Sequence, residues 1–103
     1  MQNTKLYQTD ERGKILERSN INFAPVISAL LQLKDSKTRF PCLSGIDPYG
    51  DTYVNVHQVS DVIKELEQLK NESAAAIVVE EVDATIEFQR KIYQHTFAKF
   101  IGD

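Results

Sequence analysis

The chain has 103 residues, of which 42% are apolar and 26% charged, with one cysteine and a formal net charge of −3. This composition is typical of one globular domain and excludes a disordered or fibrous chain. A single cysteine excludes an intrachain disulfide, and no stretch reaches the roughly 20 apolar residues of a membrane-spanning helix. Because the first twelve residues are polar as well, we expect one soluble domain over residues 1–103 that stays in the cytoplasm and does not bind a membrane.

The acidic residues are concentrated in one part of the chain. Residues 60–87 hold eight acids and two bases, a local net charge of −6, whereas the rest holds seven acids and ten bases and is +3. The bases are scattered and form no long cluster, so the sequence predicts no extended phosphate-binding surface and no direct nucleic-acid binding.

The first third of the chain predicts a β-hairpin followed by a helix. Residues 5–8 and 14–18 flank a polar connection that ends in glycine, which is typical of two antiparallel strands. Asn22 is expected to cap a helix over residues 23–34, in which Pro25 is tolerated because it falls in the first turn.

The middle of the chain predicts extended structure on both sides of a tight turn. Residues 38–46 are short, apolar and contain a proline, which favours a strand near a sheet edge. Residues 47–51 match a type I turn, in which the Asp47 side chain bonds forward to the backbone and Gly50 supplies a positive φ. Residues 52–55 resume the extended conformation.

The firmest helix prediction covers residues 59–69. Asn55 and Gln58 form a capping box ahead of it, and its polar residues, Glu65 among them, are expected in solvent. Its apolar residues recur at helical spacing and are expected to face the core: Val59, Val62, Ile63, Leu66 and Leu69.

A further helix and a closing strand are predicted after it. Ser73 can cap a helix that runs to about Tyr93, although the β-branched residues 77–79 also allow a short strand. Its buried stripe is expected to hold Ala75, Val79, Val82 and Ile86. Residues 96–101 alternate as a strand does. The order ββ-α-β-α-α-β therefore predicts the α+β class, with about three helices on a small antiparallel or mixed sheet.

Three sets of residues could carry chemistry, and each has a simpler structural interpretation. Asp47 and Asp51 could act as an acid and base pair, but their spacing lacks the alternating ligands of a calcium loop. His57 and His95 lack the spacing that places two imidazoles toward zinc, and no catalytic motif surrounds Cys42, which is expected to be a buried thiol. We therefore predict no catalytic residue, no metal and no cofactor.

Two candidate partner-binding sets remain. Glu80, Asp83 and Glu87 form an acidic column along the last predicted helix, which is either a solvated face or a surface that docks into a cationic cleft such as that of a nuclease. Tyr49 and Tyr53, with Asp51 between them, form the second set, because tyrosines are enriched among interface anchors.

One stretch of the sequence resembles a known group. The block from Phe40 to Thr52, which contains Ile46-Asp47-Pro48-Tyr49-Gly50-Asp51-Thr52, is similar to that of small bacterial proteins with an Ile-Asp-Pro-Tyr-Gly-Asp-Thr signature. The similarity continues through Asn55, Gln58, the helix residues 62–67 and the ending Phe100-Ile101-Gly102-Asp103. The resemblance covers most of the chain and implies no catalytic residues. By type, a small acidic single-domain protein also resembles the immunity proteins of polymorphic toxin and contact-dependent growth inhibition systems.

The function expected from these observations is that of an immunity protein that binds and neutralises a cognate bacterial toxin domain, an RNase or DNase. A regulatory or housekeeping interaction module is the alternative. A small enzyme that uses Asp47 and Asp51 is the third possibility, and loss of an activity on replacing Asp51 would favour it.

Overall fold

A computed structural model, which describes residues 4–72 and 76–102, contains four strands and five helices within those residues. In chain order they are β1 (Lys5–Asp10), β2 (Ile15–Asn22), α1 (Ala24–Leu31), α2 (Ser36–Arg39), α3 (Pro41–Ser44), β3 (Asp51–Asn55), α4 (Val59–Glu72), α5 (Ala76–Gln89) and β4 (Thr96–Ile101). The predicted α+β class is confirmed.

The four strands form one antiparallel sheet in the order β2-β1-β4-β3. The last strand of the chain therefore lies between the first and the third. Strands β1 and β2 pair directly as the predicted hairpin, whereas β4 joins this hairpin to β3, which lies at the opposite edge.

One face of the sheet is covered and the other is open to solvent. Burial alternates along β4, where Thr96, Ala98 and Phe100 are buried while the intervening residues are only half-buried. The covered face packs against the helices, and the Phe100 ring lies 4.9 Å from that of Phe23, just before α1, at a tilt of 58°. The outer face thus remains available for contacts with another molecule.

Several local predictions hold. Asn22 Oδ1 accepts a hydrogen bond from the N–H of Ala24, at 3.1 Å, although the cap position itself falls on Phe23. The capping box ahead of α4 is reciprocal: Asn55 N–H donates to Gln58 Oε1 at 2.9 Å, and Gln58 N–H donates to Asn55 Oδ1 at 3.0 Å. Of the five core residues predicted in α4, Val62, Leu66 and Leu69 are buried. The other two, Val59 and Ile63, are half-buried and pack against the core.

The predicted strand over residues 38–46 is wrong, because this segment forms α2 and α3. Pro41 occupies the first turn of α3, where its missing N–H costs nothing. Phe40, Leu43 and Ile46 are all buried, and their spacing of three residues suits helical turns rather than a strand. Five helices are therefore present in the described residues, instead of about three.

Two helix boundaries and one helix face also differ from expectation. Helix α1 ends at Leu31 rather than near residue 34, and α5 ends at Gln89 rather than near Tyr93. The residues 77–79 are helical. Within α5, Val82 and Ile86 are buried as predicted, but the residue buried one turn before Val82 is Val78 rather than Val79, which is only half-buried.

The predicted cap Ser73, the stripe residue Ala75 and the last residue, Asp103, lie outside the described residues. Within the two described ranges, no helix combines the length and the apolar character needed to cross a membrane.

We expect Leu66→Ala to lower the free energy of unfolding by about 2–5 kcal/mol, because Leu66 is completely buried and its truncation leaves a cavity in the hydrophobic core. Urea denaturation followed by circular dichroism measures this loss. An unchanged midpoint would mean that α4 does not pack on the core.

Candidate functional site

The outer face of the sheet carries a row of alternating cations and aromatic rings. The strand register places Arg18 opposite Tyr7, Tyr7 opposite Lys99, and Lys99 opposite Tyr53. Residues that are directly opposite in an antiparallel pair project from the same face. These four residues, Arg18, Tyr7, Lys99 and Tyr53, therefore form one line across all four strands, which we call the cross-strand row.

Two of the three neighbouring pairs in the cross-strand row are in contact. The Arg18 guanidinium carbon lies 5.2 Å from the centre of the Tyr7 ring, and Lys99 Nζ lies 5.3 Å from the centre of the Tyr53 ring. Both distances fall within the range of cation–π attraction. The Tyr53 ring also meets Phe97 edge-on, with centres 6.1 Å apart. The row is therefore held in place before any partner arrives.

Electrostatic contacts keep the lysine of the row charged. A hydrogen bond to Tyr53 raises the pKa of Lys99, partial burial opposes this, and the Asp51 carboxylate, 3.5 Å from Lys99 Nζ, raises the pKa further. Tyr53 is 47% exposed, so its ring offers apolar surface to solvent at the β3 edge. A cation beside a half-exposed tyrosine can contact both carboxylate and apolar groups of another protein.

The turn before β3 forms as predicted, except at its glycine. Asp47 Oδ1 accepts the N–H of Tyr49 at 2.8 Å, and Asp47 N–H donates to Thr52 Oγ1 at 2.9 Å. The expected positive φ at Gly50 is wrong. An added Cβ at Gly50 would instead lie 2.7 Å from Asp47 Oδ2, so a side chain at this position would have to displace that carboxylate.

The end of β4 holds this turn against the sheet. Gly102 N–H donates to the carbonyl of Gly50 at 2.8 Å. A Cβ on Gly102 would lie 2.4 Å from the backbone of Pro48, a distance that only glycine permits. The turn and the C-terminal strand therefore form one unit, which leaves Tyr49 73% exposed beside the row.

The acidic column is exposed on α5, but its charge is partly compensated. Asp83 pairs with Lys70 Nζ at 2.7 Å, and Glu87 pairs with Arg90 at 2.6 Å. Glu80 forms no ion pair within the described residues. The column lies in the helical layer, on the opposite side of the fold from the cross-strand row.

Sequence reasoning missed the role of Glu65, which was expected in solvent. Only 9% of this residue is exposed, and its carboxylate accepts the N–H groups of Cys42 at 3.1 Å and of Leu43 at 3.0 Å. These are the groups that lack an acceptor in the first turn of a helix. The pattern that could have revealed this role is Pro41 at a helix start, since it leaves free N–H groups directly after it.

The Cys42 thiol next to this carboxylate is half-buried rather than fully buried as predicted. Burial raises the pKa of Cys42 to about 11, and the hydrogen bond and charge of Glu65 act in the same direction. The thiol therefore remains protonated at neutral pH, and its nucleophilic thiolate form is scarce.

The histidines lie in separate turns. His57 N–H donates to Asn55 Oδ1, while the His95 ring contacts Glu11 and its backbone adopts a φ of 68°. In residues 4–72 and 76–102, no three His, Cys, Asp or Glu side chains are grouped as metal ligands.

Of the six residues predicted to bind a partner, Asp51 and Tyr53 lie together in or beside the row, and Tyr49 lies in the adjoining turn. The other three form the column on α5. Comparison of the chain with protein-family models, curated proteins and solved structures found no match.

We expect Gly50→Val to lower stability, because the new side chain displaces the Asp47 carboxylate from its bond to Tyr49. The cost should be about 1–3 kcal/mol, the usual range for overpacking. In an Asp47→Ala background the same change should cost clearly less, which a double-mutant cycle in urea measures. Equal costs in the two backgrounds would contradict the steric explanation.

We expect Cys42 to react with iodoacetamide more slowly at pH 7.5 than a small free thiol does, and to accelerate as the pH approaches its pKa of about 11. Because the folded pKa lies above the ordinary value of 9.0, the stability linked to this thiol is present below pH 9 and is lost as the pH rises toward 11. Glu65→Gln, which removes the charge, should lower the pKa and speed the reaction. Fast alkylation at pH 7.5 of the folded protein would contradict this assignment.

Proposed function

We propose that this protein binds a cognate bacterial toxin domain in the cytoplasm and neutralises it, with the cross-strand row as the anchor of the interface. The row carries the proposal, because it combines a half-exposed tyrosine, a second tyrosine and two cations on a rigid sheet. Tyrosine and arginine are enriched among the residues that dominate binding energy in protein interfaces.

The rigidity of the row supports a binding role. Side chains that are already ordered in the free protein lose less conformational entropy when a partner binds. Arg18 and Lys99 are both stacked on tyrosine rings, so these long side chains are restrained in advance. The toxin as partner follows from the resemblance by type to immunity proteins, and the row adds the surface on which such a partner would dock.

The acidic column on α5 supports a second docking surface for the same function. A cationic nuclease cleft would be attracted to Glu80, and to Asp83 and Glu87 if it displaced their lysine and arginine partners. Because the column and the row lie on opposite sides of the fold, one compact toxin domain would use one of them. The two surfaces predict different kinetics, since exposed charges chiefly steer association whereas buried aromatic anchors chiefly slow dissociation.

If the proposal is right, a toxin domain is encoded beside the gene for this protein, and the test uses that domain. We expect the wild-type chain to protect a bacterial host from that domain and to bind it in kinetic measurements. Tyr53→Ala should weaken binding at least about tenfold through faster dissociation, as a residue at the centre of an interface does. The matched control is Tyr93→Ala, which removes a tyrosine of similar exposure, 59%, outside the row.

The triple reversal of Glu80, Asp83 and Glu87 to Lys tests the column. With the row as anchor, its association rate should stay within about twofold of the wild type. The column, and not the row, would be the interface under three joint results. The triple reversal associates slowly, association of the wild type falls steeply with salt, and Tyr53→Ala binds as the wild type does. No binding and no protection by the wild-type chain would show that toxin neutralisation is wrong.

A further inference from the structure

The outer edge of β3 has unused backbone hydrogen-bonding groups. In an antiparallel pair, every second residue of a strand directs its N–H and C=O groups toward the same neighbouring strand. The hydrogen bond from Gly102 N–H to the Gly50 carbonyl therefore shows which residues of β3 bond to β4. Thr52 and Val54 accordingly direct their N–H and C=O groups toward β4. The N–H and C=O groups of Asp51, Tyr53 and Asn55 point away from the sheet.

One of these three residues is already satisfied. Asn55 N–H donates to Gln58 Oε1, and the Asn55 carbonyl accepts the Gln58 N–H at 3.0 Å. For Asp51 and Tyr53, the outward backbone groups have no hydrogen-bond partner within the described residues. Tyr53 therefore offers one donor and one acceptor at the open end of the sheet, as an edge strand does when it can accept another strand.

A groove of about 350 Å³ runs beside this edge. Its lining residues come from β3, from α3 and from the region of α4, and most of their surface in the groove is apolar: Pro41, Cys42, Gly45, Thr52, Tyr53, Val54, Gln58 and Val62. Side chains of an added strand that project toward the helices would enter this groove, because Thr52 and Val54 of β3 project there as well.

The charge pattern on the outer face of the sheet indicates which kind of side chain the added strand places on that face. The cross-strand row alternates cation, aromatic, cation and aromatic from β2 to β3 and ends on Tyr53 at the free edge. Lys99 occupies one side of the Tyr53 ring. The Asp51 carboxylate lies next to Lys99, and about half of the Asp51 side chain is exposed. A cation on a fifth strand would continue the alternation, stack on the open side of the Tyr53 ring and approach Asp51.

We propose that β3 pairs through its free edge with an extended, antiparallel segment of a partner protein that places a lysine or arginine opposite Tyr53 and an apolar residue on each side of it. The cation meets the Tyr53 ring on the outer face, and the two apolar side chains enter the groove between β3 and α3. Addition of a strand to an exposed sheet edge is an established mode of peptide recognition. The proposal rests on the proposed function only in taking a protein segment as the ligand.

The first measurement is amide hydrogen exchange of the free protein by NMR. The Tyr53 amide should exchange at least roughly tenfold faster than the Val54 amide, because only the latter is bonded within the sheet. Similar protection of the two amides would overturn the proposal, since the edge would then be covered already.

The second measurement is a titration with the capped pentapeptide Thr-Val-Lys-Val-Thr. At millimolar peptide, the Tyr53 amide should become protected and its resonance should shift together with those of Cys42 and Gly45 in the groove. The matched peptide Thr-Val-Glu-Val-Thr should bind about threefold to tenfold more weakly, because it replaces the cation opposite Tyr53 by an anion. Shifts confined to α5, no shifts, or equal affinity for the two peptides would overturn the proposal.

Two substitutions at one position separate the backbone from the ring. Tyr53→Pro removes the outward N–H without breaking a bond to β4, as proline is tolerated in edge strands at such positions. It should abolish the shifts that the lysine peptide causes at Cys42 and Gly45, whereas Tyr53→Ala keeps the N–H and should retain weaker binding. Equal binding by the two variants would contradict edge pairing.

A third variant, at another position, tests the proposal if Tyr53→Pro does not fold. Gly45→Leu introduces a side chain into the groove, and the backbone there accepts it, because a Cβ would lie 3.4 Å from its nearest neighbour. This variant should bind the lysine peptide at least about tenfold more weakly, with unchanged exchange of the Val54 amide.

A peptide that binds this edge while the neighbouring toxin is neither bound nor neutralised would leave edge pairing supported and the toxin role wrong.

Discussion

The pairing of the C-terminal strand between the first and the third strands organises this molecule. Strand β4 joins the hairpin at one end of the sheet to β3 at the other, and its register decides which residues face each other. The row of cations and rings exists only because Tyr7 and Tyr53 both lie opposite Lys99. The same strand is followed by Gly102, whose lack of a side chain allows the turn before β3 to rest on it. A shift of β4 by one residue would turn Lys99 toward the core and dissolve both features.

A second constraint comes from the buried carboxylate of Glu65. It connects α4, which carries much of the core, to the start of α3 through hydrogen bonds to two backbone N–H groups. Hydrogen bonds to a charged acceptor are stronger than those between neutral groups, and two unsatisfied N–H groups in this place would be costly. Glu65 therefore fixes one wall of the groove beside β3, while the sheet fixes the other. The proposed edge site depends on both.

The acidic column and the cations of the cross-strand row lie in different layers of the fold. The exposed acids of α5 lie in the helical layer, whereas Arg18 and Lys99 lie on the open face of the sheet. Ion pairs with Lys70 and Arg90 reduce the field of the acidic column, so the local charge of −6 in the sequence overstates what a partner would meet. The cations on the sheet are few, but they are fixed on aromatic rings, and fixed groups bind with a smaller entropic cost.

Local patterns in the sequence were sufficient for the hairpin, the capping box ahead of α4, the buried stripe of that helix, the turn at Asp47 and the α+β class, because each depends on residues that are close together in the chain. They also singled out Asp51 and Tyr53 as candidates. They did not reveal the helical form of residues 38–46, because its stabilising acceptor, Glu65, comes from more than twenty residues away. Nor could they reveal the cross-strand row, since its four residues are far apart in sequence and meet only through strand register. The free edge of β3 likewise depends on the order of the strands in the sheet. Register is decided by packing of the whole sheet against the helices, which no local pattern contains.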